Sequence, residues 1–256
     1  MDGFQLTMRK LFALILLLLA SPSFAGGGAT MMVVGGTAAG AGVAECPGDL
    51  ICQNFEGTGY DNVSGLGGVW TEAIGTGGVV DEDDATATVL RGSQQLKLYA
   101  GDSGQTSNDA VSFASTTEVY FHYRWKTPDA TPTNSHNMLN IYNGGTIRPY
   151  LLWITNGTYR CYNGTAYGTG ATTLQNDTAY HIWGHYKGEA SEGANDGIMQ
   201  VYISATTSKP GTADCQTTAG TDVDAVDKIR FNGQYQTTQF IDQVIISTTV
   251  IGDVAE

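Results

Sequence analysis

The feature that most constrains the fold is a repeated alternation of apolar and polar side chains. In EVYFHYRWK, Phe121, Tyr123 and Trp125 fall on one side of an extended chain, with polar residues between them. The same alternation recurs in QQLKLYA, NMLNIYNG, AYHIWGHYKG and GIMQVYIS. A period of two is typical of β-strands that bury one face. No segment beyond the N-terminal region has the period of an amphipathic helix, so the sequence predicts an all-β fold.

Turn residues separate these segments. In YLLWITNGTYRCYNG, Asn156-Gly157 joins two apolar runs, and both residues tolerate the positive φ that a tight hairpin requires. The chain has 34 glycines, and only 14% of its residues are charged. Short strands with such turns predict an antiparallel sandwich or barrel. The length favours one two-sheet β-sandwich over residues 46–256 rather than two small domains.

The N-terminus has the features of an export signal. Arg9 and Lys10 precede the apolar run LFALILLLLA, and Ser-Phe-Ala at 23–25 has the spacing of a signal-peptidase site. The run is much shorter than the ~20 apolar residues of a membrane-spanning helix. Residues 1–25 are therefore predicted to be a cleaved signal peptide, and the mature protein to be secreted, extracellular or periplasmic. Residues 26–45, rich in Gly and Ala, are predicted to be a flexible arm, although its MMVV patch could dock on a partner.

Four cysteines in an exported chain predict disulfide bonds. We pair Cys46 with Cys52, across the tight turn of CPGDLIC, and Cys161 with Cys215. A zinc site is the alternative, but the sequence has no CxxC motif and no nearby histidine pair to support it.

The chain is acidic, with 25 Asp and Glu residues against 12 Lys and Arg and a formal net charge of -13. An acidic chain repels phosphate backbones, so we expect no nucleic-acid partner. After the signal peptide, no segment is apolar enough to span a membrane.

Three parts of the sequence resemble a known family. They are TAYHIWGHYKG followed by IMQVYIS, then IRFNG with FIDQVIIS, and the opening Phe55-Glu56-Gly57 with Trp70. Together they resemble the concanavalin A-like lectin/glucanase superfamily, and within it the laminin-G-like jelly-roll domains. The resemblance implies two antiparallel sheets, one of which is bent so that its outer face forms a sugar-binding groove.

The polar sides of the predicted strands carry many aromatic residues, which is unusual for positions that face solvent. Aromatic rings offer flat apolar faces to the C–H side of a sugar ring, and amide, imidazole and guanidinium groups can bond its hydroxyls. We therefore predict a carbohydrate-binding face on which Trp183 is exposed. If a loop or the second sheet covers these strands, the same residues are core. The predicted residues are Tyr120, His122, Arg124, Asn140, Tyr142, His181, Trp183, His185, Gln200 and Tyr202.

The acidic residues do not predict catalysis. A glycosidase needs two carboxylates that flank the scissile bond, and the chain lacks the Glu-x-Asp-x-Glu run of the superfamily's glucanases. We interpret the consecutive acids of DEDD, residues 81–84, as a solvated loop. A polysaccharide lyase with a Tyr or His base remains an alternative. His122, Arg124, His181 and Tyr202 have the chemistry to neutralise a uronate and to abstract its proton. The Arg-Glu-Leu-Arg and Gln-x-His patterns of such lyases are nevertheless missing from the sequence.

The predicted function is therefore a secreted, non-catalytic, lectin-like module that binds an oligo- or polysaccharide. One alternative is a structural, adhesive or particle-decoration scaffold, in which the glycine-rich arm mediates assembly. A lyase or glycoside hydrolase is the less favoured alternative.

The resemblance also implies a structural calcium ion. Several secreted jelly-roll families bind Ca²⁺ with acids of the first and last strands and with backbone carbonyls of a glycine-containing loop, and such oxygen ligands suit this ion. Glu56, Asp242 and the loop around Gly92 fit that arrangement. The alternative is that Glu56 accepts hydrogen bonds in a turn while Asp242 bonds a neighbouring loop.

Overall fold

The structure is a computed structural model that describes residues 48–55, 69–74, 76–83, 90, 94–101, 107–220, 225–233, 235 and 237–255. The predicted signal peptide at 1–25 and the predicted arm at 26–45 lie outside the described residues. Cys46, Glu56 and Gly92 lie outside them as well.

The described residues form fifteen β-strands and no helix. A helix long and apolar enough to cross a membrane is accordingly not found among them. In chain order the strands are β1 (Ile51–Gln53), β2 (Val69–Ala73), β3 (Val79–Asp83), β4 (Gln95–Tyr99), β5 (Asn108–Thr116), β6 (Glu118–Lys126), β7 (His136–Asn143), β8 (Thr146–Trp153), β9 (Tyr159–Tyr162), β10 (Tyr167–Thr169), β11 (Tyr180–Lys187), β12 (Gly197–Ser204), β13 (Cys215–Gly220), β14 (Val226–Asn232) and β15 (Gln239–Ser247).

These strands form two antiparallel sheets, which confirms the predicted all-β sandwich. Within the described residues, the eight-stranded sheet has the order β13-β12-β11-β6-β15-β4-β3, and β1 also pairs with β15. The seven-stranded sheet has the order β10-β9-β8-β7-β14-β5-β2. The first and last described strands are thus neighbours, with Ile51 opposite Ile246.

A layer of large apolar side chains holds the two sheets together. The inward residues of β6 point into this layer, as the alternation predicted. Among them, Trp125 meets Trp153 of the seven-stranded sheet edge to face, with 5.1 Å between the ring centroids. Trp125 Nε1 donates to Gln239 Oε1 (2.8 Å), and Trp153 Nε1 donates to the carbonyl of Ala130 (3.0 Å). The layer therefore buries both indoles without leaving their N–H groups unbonded.

A disulfide joins the two sheets near one edge of the sandwich. Cys161 of β9 and Cys215 of β13 are bonded, with 6.1 Å between their Cα atoms, which confirms the predicted pair. Because β9 and β13 belong to different sheets, this bond ties the sheets to each other. Cys52 is also disulfide-bonded, and its predicted partner, Cys46, lies outside the described residues.

The prediction that the acidic run DEDD forms a loop is wrong. Val79–Asp83 forms β3 at the edge of the eight-stranded sheet instead. Asp81 is exposed and lies opposite Lys97 of β4. An edge strand accepts charged residues because one side of it faces solvent instead of another strand, and opposite charges across a strand pair attract each other.

Gly184 of β11 interrupts the alternation of AYHIWGHYKG for a steric reason. It lies opposite Phe121 of β6. A Cβ at this position would lie 1.9 Å from Phe121 Cζ, so no side chain fits beside the ring. The close packing of the inter-sheet layer therefore requires glycine here.

We expect Gly184→Ala to lower the free energy of unfolding by about 1–3 kcal/mol, because the added methyl group forces the Phe121 ring out of its place. Gly211→Ala is the matched control, since a Cβ there meets nothing within 4 Å. Urea denaturation of the two variants checks the prediction. Equal stability of both variants would contradict the packing described here.

Candidate functional site

All of the predicted binding residues except Asn140 and Tyr142 lie on the outer face of the eight-stranded sheet. They are outward residues of β6, β11 and β12, and the inward residues of the same strands belong to the core. The register places them in cross-strand rows. The rows are Arg124 with His181 and Ser204, His122 with Trp183 and Tyr202, and Tyr120 with His185 and Gln200.

Residues 248–255, which follow β15, cover the middle of this face. Trp183 is only 1% exposed, and its Nε1 donates to the carbonyl of Gly252 (2.9 Å). Ile251 and Val254 belong with Trp183 to a small apolar cluster outside the main core. The expectation of an exposed Trp183 is therefore wrong. Its side chain points away from the inter-sheet layer, but the chain after the last strand folds back over it.

The covering segment is anchored to neighbouring parts of the chain. The backbone N–H of Lys209 donates to Asp253 Oδ1 (2.8 Å). Gln243 Nε2 donates to the carbonyl of Ala255 (3.0 Å). These bonds connect the segment to β15 and to the loop after β12, so it is a structural part of this face.

Two buried histidines lie beside Trp183. His122 Nε2 and His181 Nδ1 are 3.1 Å apart, and their ring centroids lie 5.0 and 5.6 Å from that of Trp183. Burial, followed by the charge of His181, lowers the pKa of His122 well below its ordinary value. Burial, followed by the charge of Arg124, lowers the pKa of His181 to about 4. Both rings are therefore neutral at pH 7, and one donates its N–H to the other.

The half-buried residues at one end of this face bond to one another. Tyr120 stacks on His185 with 4.2 Å between ring centroids. Glu118 Oε1 accepts hydrogen bonds from Tyr120 OH (2.9 Å) and His185 Nε2 (2.8 Å), and burial together with this bond raises the pKa of Tyr120 to about 12. Tyr202 OH donates to Gln200 Oε1 (3.2 Å). The polar groups at this end are thus occupied by bonds within the protein.

Asn140 and Tyr142 lie on the opposite side of the sandwich. They belong to β7 in the seven-stranded sheet, and because Leu139 and Ile141 point into the core, Asn140 and Tyr142 point outward. The structure therefore does not bring the predicted binding residues together in one groove. Alternation along a strand predicts which residues share a side, but not which sheet the strand joins.

A row of tyrosines that was not predicted crosses this second outer face. Tyr150, Tyr162 and Tyr167 are cross-strand neighbours on β8, β9 and β10. Neighbouring ring centroids are 4.7 Å apart, and the hydroxyl groups of Tyr150 and Tyr167 share a hydrogen bond. Tyr167 is 52% exposed. The sequence held a signal for one of them, because a disulfide at Cys161 that points into the sandwich requires Tyr162 to point outward.

Lys228 and Arg230 of β14 share this outer face with the tyrosines. Arg230 Cζ lies 4.9 Å and Lys228 Nζ 5.7 Å from the ring centroid of Tyr142. Arg230 is opposite Asn140, which is opposite Tyr150, so the cations adjoin the tyrosine row. We call this surface the tyrosine face; it consists of Asn140, Tyr142, Tyr150, Tyr162, Tyr167, Lys228 and Arg230.

Several buried polar atoms on or beside the tyrosine face have no hydrogen-bond partner among the described residues. They are Asn140 Oδ1, Tyr142 OH, Arg230 Nε and Asn232 Nδ2. Asn232 follows Arg230 at the next outward position of β14. Buried polar groups are normally hydrogen-bonded, so these atoms have bonding capacity for a ligand.

His136, the first residue of β7, adds no charge to this region at pH 7. Its Nε2 donates to the carbonyl of Asn232 (3.2 Å). Burial, and secondly the charge of Arg230, lowers the pKa of His136 to about 4. The positive charge of the tyrosine face therefore comes from Lys228 and Arg230.

Of the predicted calcium ligands, only Asp242 lies within the described residues. Its side chain is fully buried on β15, where Oδ1 accepts the N–H of Gln243 (2.6 Å), and the residue lies opposite Arg124 of β6. Glu56 and Gly92 lie outside the described residues. In the part of the chain that the structure describes, no three His, Cys, Asp or Glu residues are grouped so that they could hold a metal ion. Calcium binding stays a prediction.

The chain is similar to solved structures of other proteins. No protein-family model matches it, and no curated protein matches it. The cellulose-induced protein Cip1 has a TM-score of 0.54 at 15% identity, over 72% of this chain and 93% of that one. A structure of botulinum neurotoxin type C has a TM-score of 0.54 at 9% identity, and the binding domain of botulinum neurotoxin DC has 0.52 at 10%. This chain spans 48% of each of these toxin chains. The likeness shows a shared jelly-roll fold.

We expect the buried histidines to make the fold sensitive to acid. The unfolded chain takes up a proton on each histidine near pH 6.5, whereas His181 resists protonation down to a pKa of about 4. Stability therefore falls as the pH drops from about 6.5 to about 4, by about 2 kcal/mol between pH 7 and pH 5 for such a histidine. His181→Gln removes this group, so the loss of stability between pH 7 and pH 5 should be about 2 kcal/mol smaller in the variant. Urea denaturation of both proteins at the two pH values measures it, and an unchanged pH difference in the variant would refute the prediction.

Proposed function

We propose that this chain is an exported carbohydrate-binding module whose binding site is the tyrosine face. The observation that carries the proposal is the row of Tyr150, Tyr162 and Tyr167, which places ring beside ring on neighbouring strands. A contiguous group of aromatic rings at the surface of a protein often marks a binding site.

The row has the chemistry that sugar rings need. The three rings form a short apolar strip, because the centroids of its two end members, Tyr150 and Tyr167, are only 6.1 Å apart. The apolar sides of sugars stack on such rings. Asn140 and Tyr142 adjoin the strip with polar atoms that can bond sugar hydroxyls. Stacking would supply affinity, and the polar atoms would supply specificity.

The outer face of the eight-stranded sheet is the poorer candidate. Its middle is covered by residues 248–255, and the polar groups at its end bond to one another. His122 and His181, two of the residues considered for a lyase, are buried and do not meet a polymer in this arrangement. The proposal therefore keeps Asn140 and Tyr142 from the sequence prediction and places the site on the other sheet.

Proteins of similar fold support a glycan-binding role. Cell entry of botulinum neurotoxin type C depends on interaction with two ganglioside molecules. The binding domain of neurotoxin DC forms a complex with SialylT. Because the sequence identities are 9% and 10%, this support concerns the fold, and the site is argued from the residues of this chain.

Export agrees with this role. The bond between Cys161 and Cys215 requires an oxidising compartment. The N-terminal sequence has the basic, apolar and small-residue regions of a signal peptide. A secreted, extracellular or periplasmic location gives the tyrosine face access to polysaccharides.

We expect the mature chain to bind glycans on an array, and Tyr162→Ala and Tyr167→Ala each to weaken that binding about tenfold, which corresponds to ~1.4 kcal/mol. Tyr202→Ala is the matched control, because it removes the same side chain from the other sheet. Affinities for the array hits are measured by surface plasmon resonance. A chain that binds no glycan would overturn the proposal and favour the scaffold alternative; equal losses in all three variants would move the site away from the tyrosine face.

A further inference from the structure

We propose that the tyrosine face selects acidic glycans, with an anionic group of one sugar, a carboxylate or a sulfate, bound at Lys228 and Arg230. This inference rests on the proposed function and names the ligand class of the same site.

Lys228 and Arg230 carry charges that the described part of the protein does not neutralise. They are outward neighbours on β14, because Ile229 between them is part of the core. Neither forms an ion pair within the described residues. Asp227, which precedes them, accepts a hydrogen bond from the N–H of Gly144 in the turn between β7 and β8 (3.1 Å). Two neighbouring cations with no ion pair among the described residues are notable in a chain of net charge -13.

Tyr142 holds both cations at one place. The Arg230 guanidinium and the Lys228 ammonium lie 4.9 and 5.7 Å from the centroid of the same ring. A cation that lies near an aromatic ring is restrained in position while its charge stays available. Both cations therefore adjoin the same ring, and an anion bound beside that ring would be attracted by each of them.

The buried atoms without partners favour an anion over a neutral sugar. Arg230 Nε and Asn232 Nδ2 can only donate hydrogen bonds, and Tyr142 OH can donate one. Ionised carboxylates and sulfates only accept hydrogen bonds, so they match such a set of donors, and bonds from a guanidinium to an anion are strong. Asn140 Oδ1, which accepts, suits a hydroxyl of the same or a neighbouring sugar.

The strand register connects the cations to the tyrosine row. A single cross-strand row begins on β2 and ends on β10, and its described members include no acidic residue. An oligosaccharide stacked on the tyrosines would therefore reach Arg230 without passing a carboxylate. The members of the row are Thr71, Ala110, Arg230, Asn140, Tyr150, Tyr162 and Tyr167.

The test uses the mature chain and one glycan array printed in three forms: native, with sugar carboxylates converted to methyl esters, and with sulfates removed. We expect the strongest signals on native acidic glycans. Loss on esterification identifies a carboxylate as the anion, and loss on desulfation identifies a sulfate. The signals should also weaken as salt is added, because salt screens the charges.

Variants test the position of the anion. Lys228→Gln and Arg230→Gln should each weaken binding to native acidic glycans about tenfold and leave binding to the neutralised forms unchanged. Arg230→Lys keeps the charge but lacks the bidentate donor geometry of a guanidinium. Its affinity for native acidic glycans should therefore lie between that of the unchanged chain and that of Arg230→Gln. Lys187→Gln removes the same charge from the eight-stranded sheet and is the control. Thermal melting curves confirm that each variant is folded.

The outcomes separate this inference from the proposed function. Equal binding to native and neutralised glycans, with no effect of Arg230→Gln, would overturn the preference for acidic glycans and leave the carbohydrate-binding proposal standing. Loss of affinity in Lys187→Gln equal to that in Lys228→Gln would show a nonspecific effect of net charge and would also overturn it. A chain that binds no glycan in any form would overturn both.

Discussion

Burial of large side chains between the two sheets is the interaction on which the rest of the structure depends. Trp125 and Trp153 meet from different sheets, and each indole N–H keeps a hydrogen bond, so the layer gains apolar burial without an unsatisfied donor. Gly184 occupies a position where no side chain fits against Phe121. Because side chains alternate along a strand, the residues that enter this layer also determine which residues point outward. Both outer faces of the sandwich are therefore consequences of one packed layer.

The two outer faces satisfy their polar groups in different ways. On the eight-stranded sheet, residues 248–255 cover Trp183, and Glu118, Tyr120 and His185 bond to one another. On the seven-stranded sheet, the tyrosine row stays near the surface, and Arg230 and its neighbours have buried polar atoms without partners in the described residues. Both faces keep some buried polar atoms without partners in the described residues, His122 Nδ1 on the first and Asn140 Oδ1 on the second among them; only on the second do such atoms adjoin an uncovered row of aromatic rings. The segment that covers Trp183 on the first face, more than the types of residue, is the reason for proposing the site on the seven-stranded sheet.

The sequence predicts the direction of some side chains of the proposed site, but not which strands come together to form it. Individual residues show why. The outward direction of Asn140 and Tyr142 follows from the apolar residues beside them, and the structure agrees. Their assignment to the same groove as Trp183 does not follow, because β7 and β11 look alike in sequence but join different sheets. Tyr150 and Tyr167 come together only through the pairing of β8, β9 and β10. The pairing of strands depends on contacts across the fold, which periodicity along one strand does not report.

The sequence by itself determined the strand character of the chain, the inward and outward sides of β6, β7, β11 and β12, and the pairing of Cys161 with Cys215. These features depend on alternation along short segments and on a small number of cysteines. Only the tertiary structure decided that Trp183 is buried, that the acidic run at Asp81 forms an edge strand, and that Lys228 and Arg230 lie beside Tyr142. The physical reason is that each of these outcomes depends on contacts between residues far apart in the chain, which exist only once the two sheets have formed and residues 248–255 have folded back across one of them.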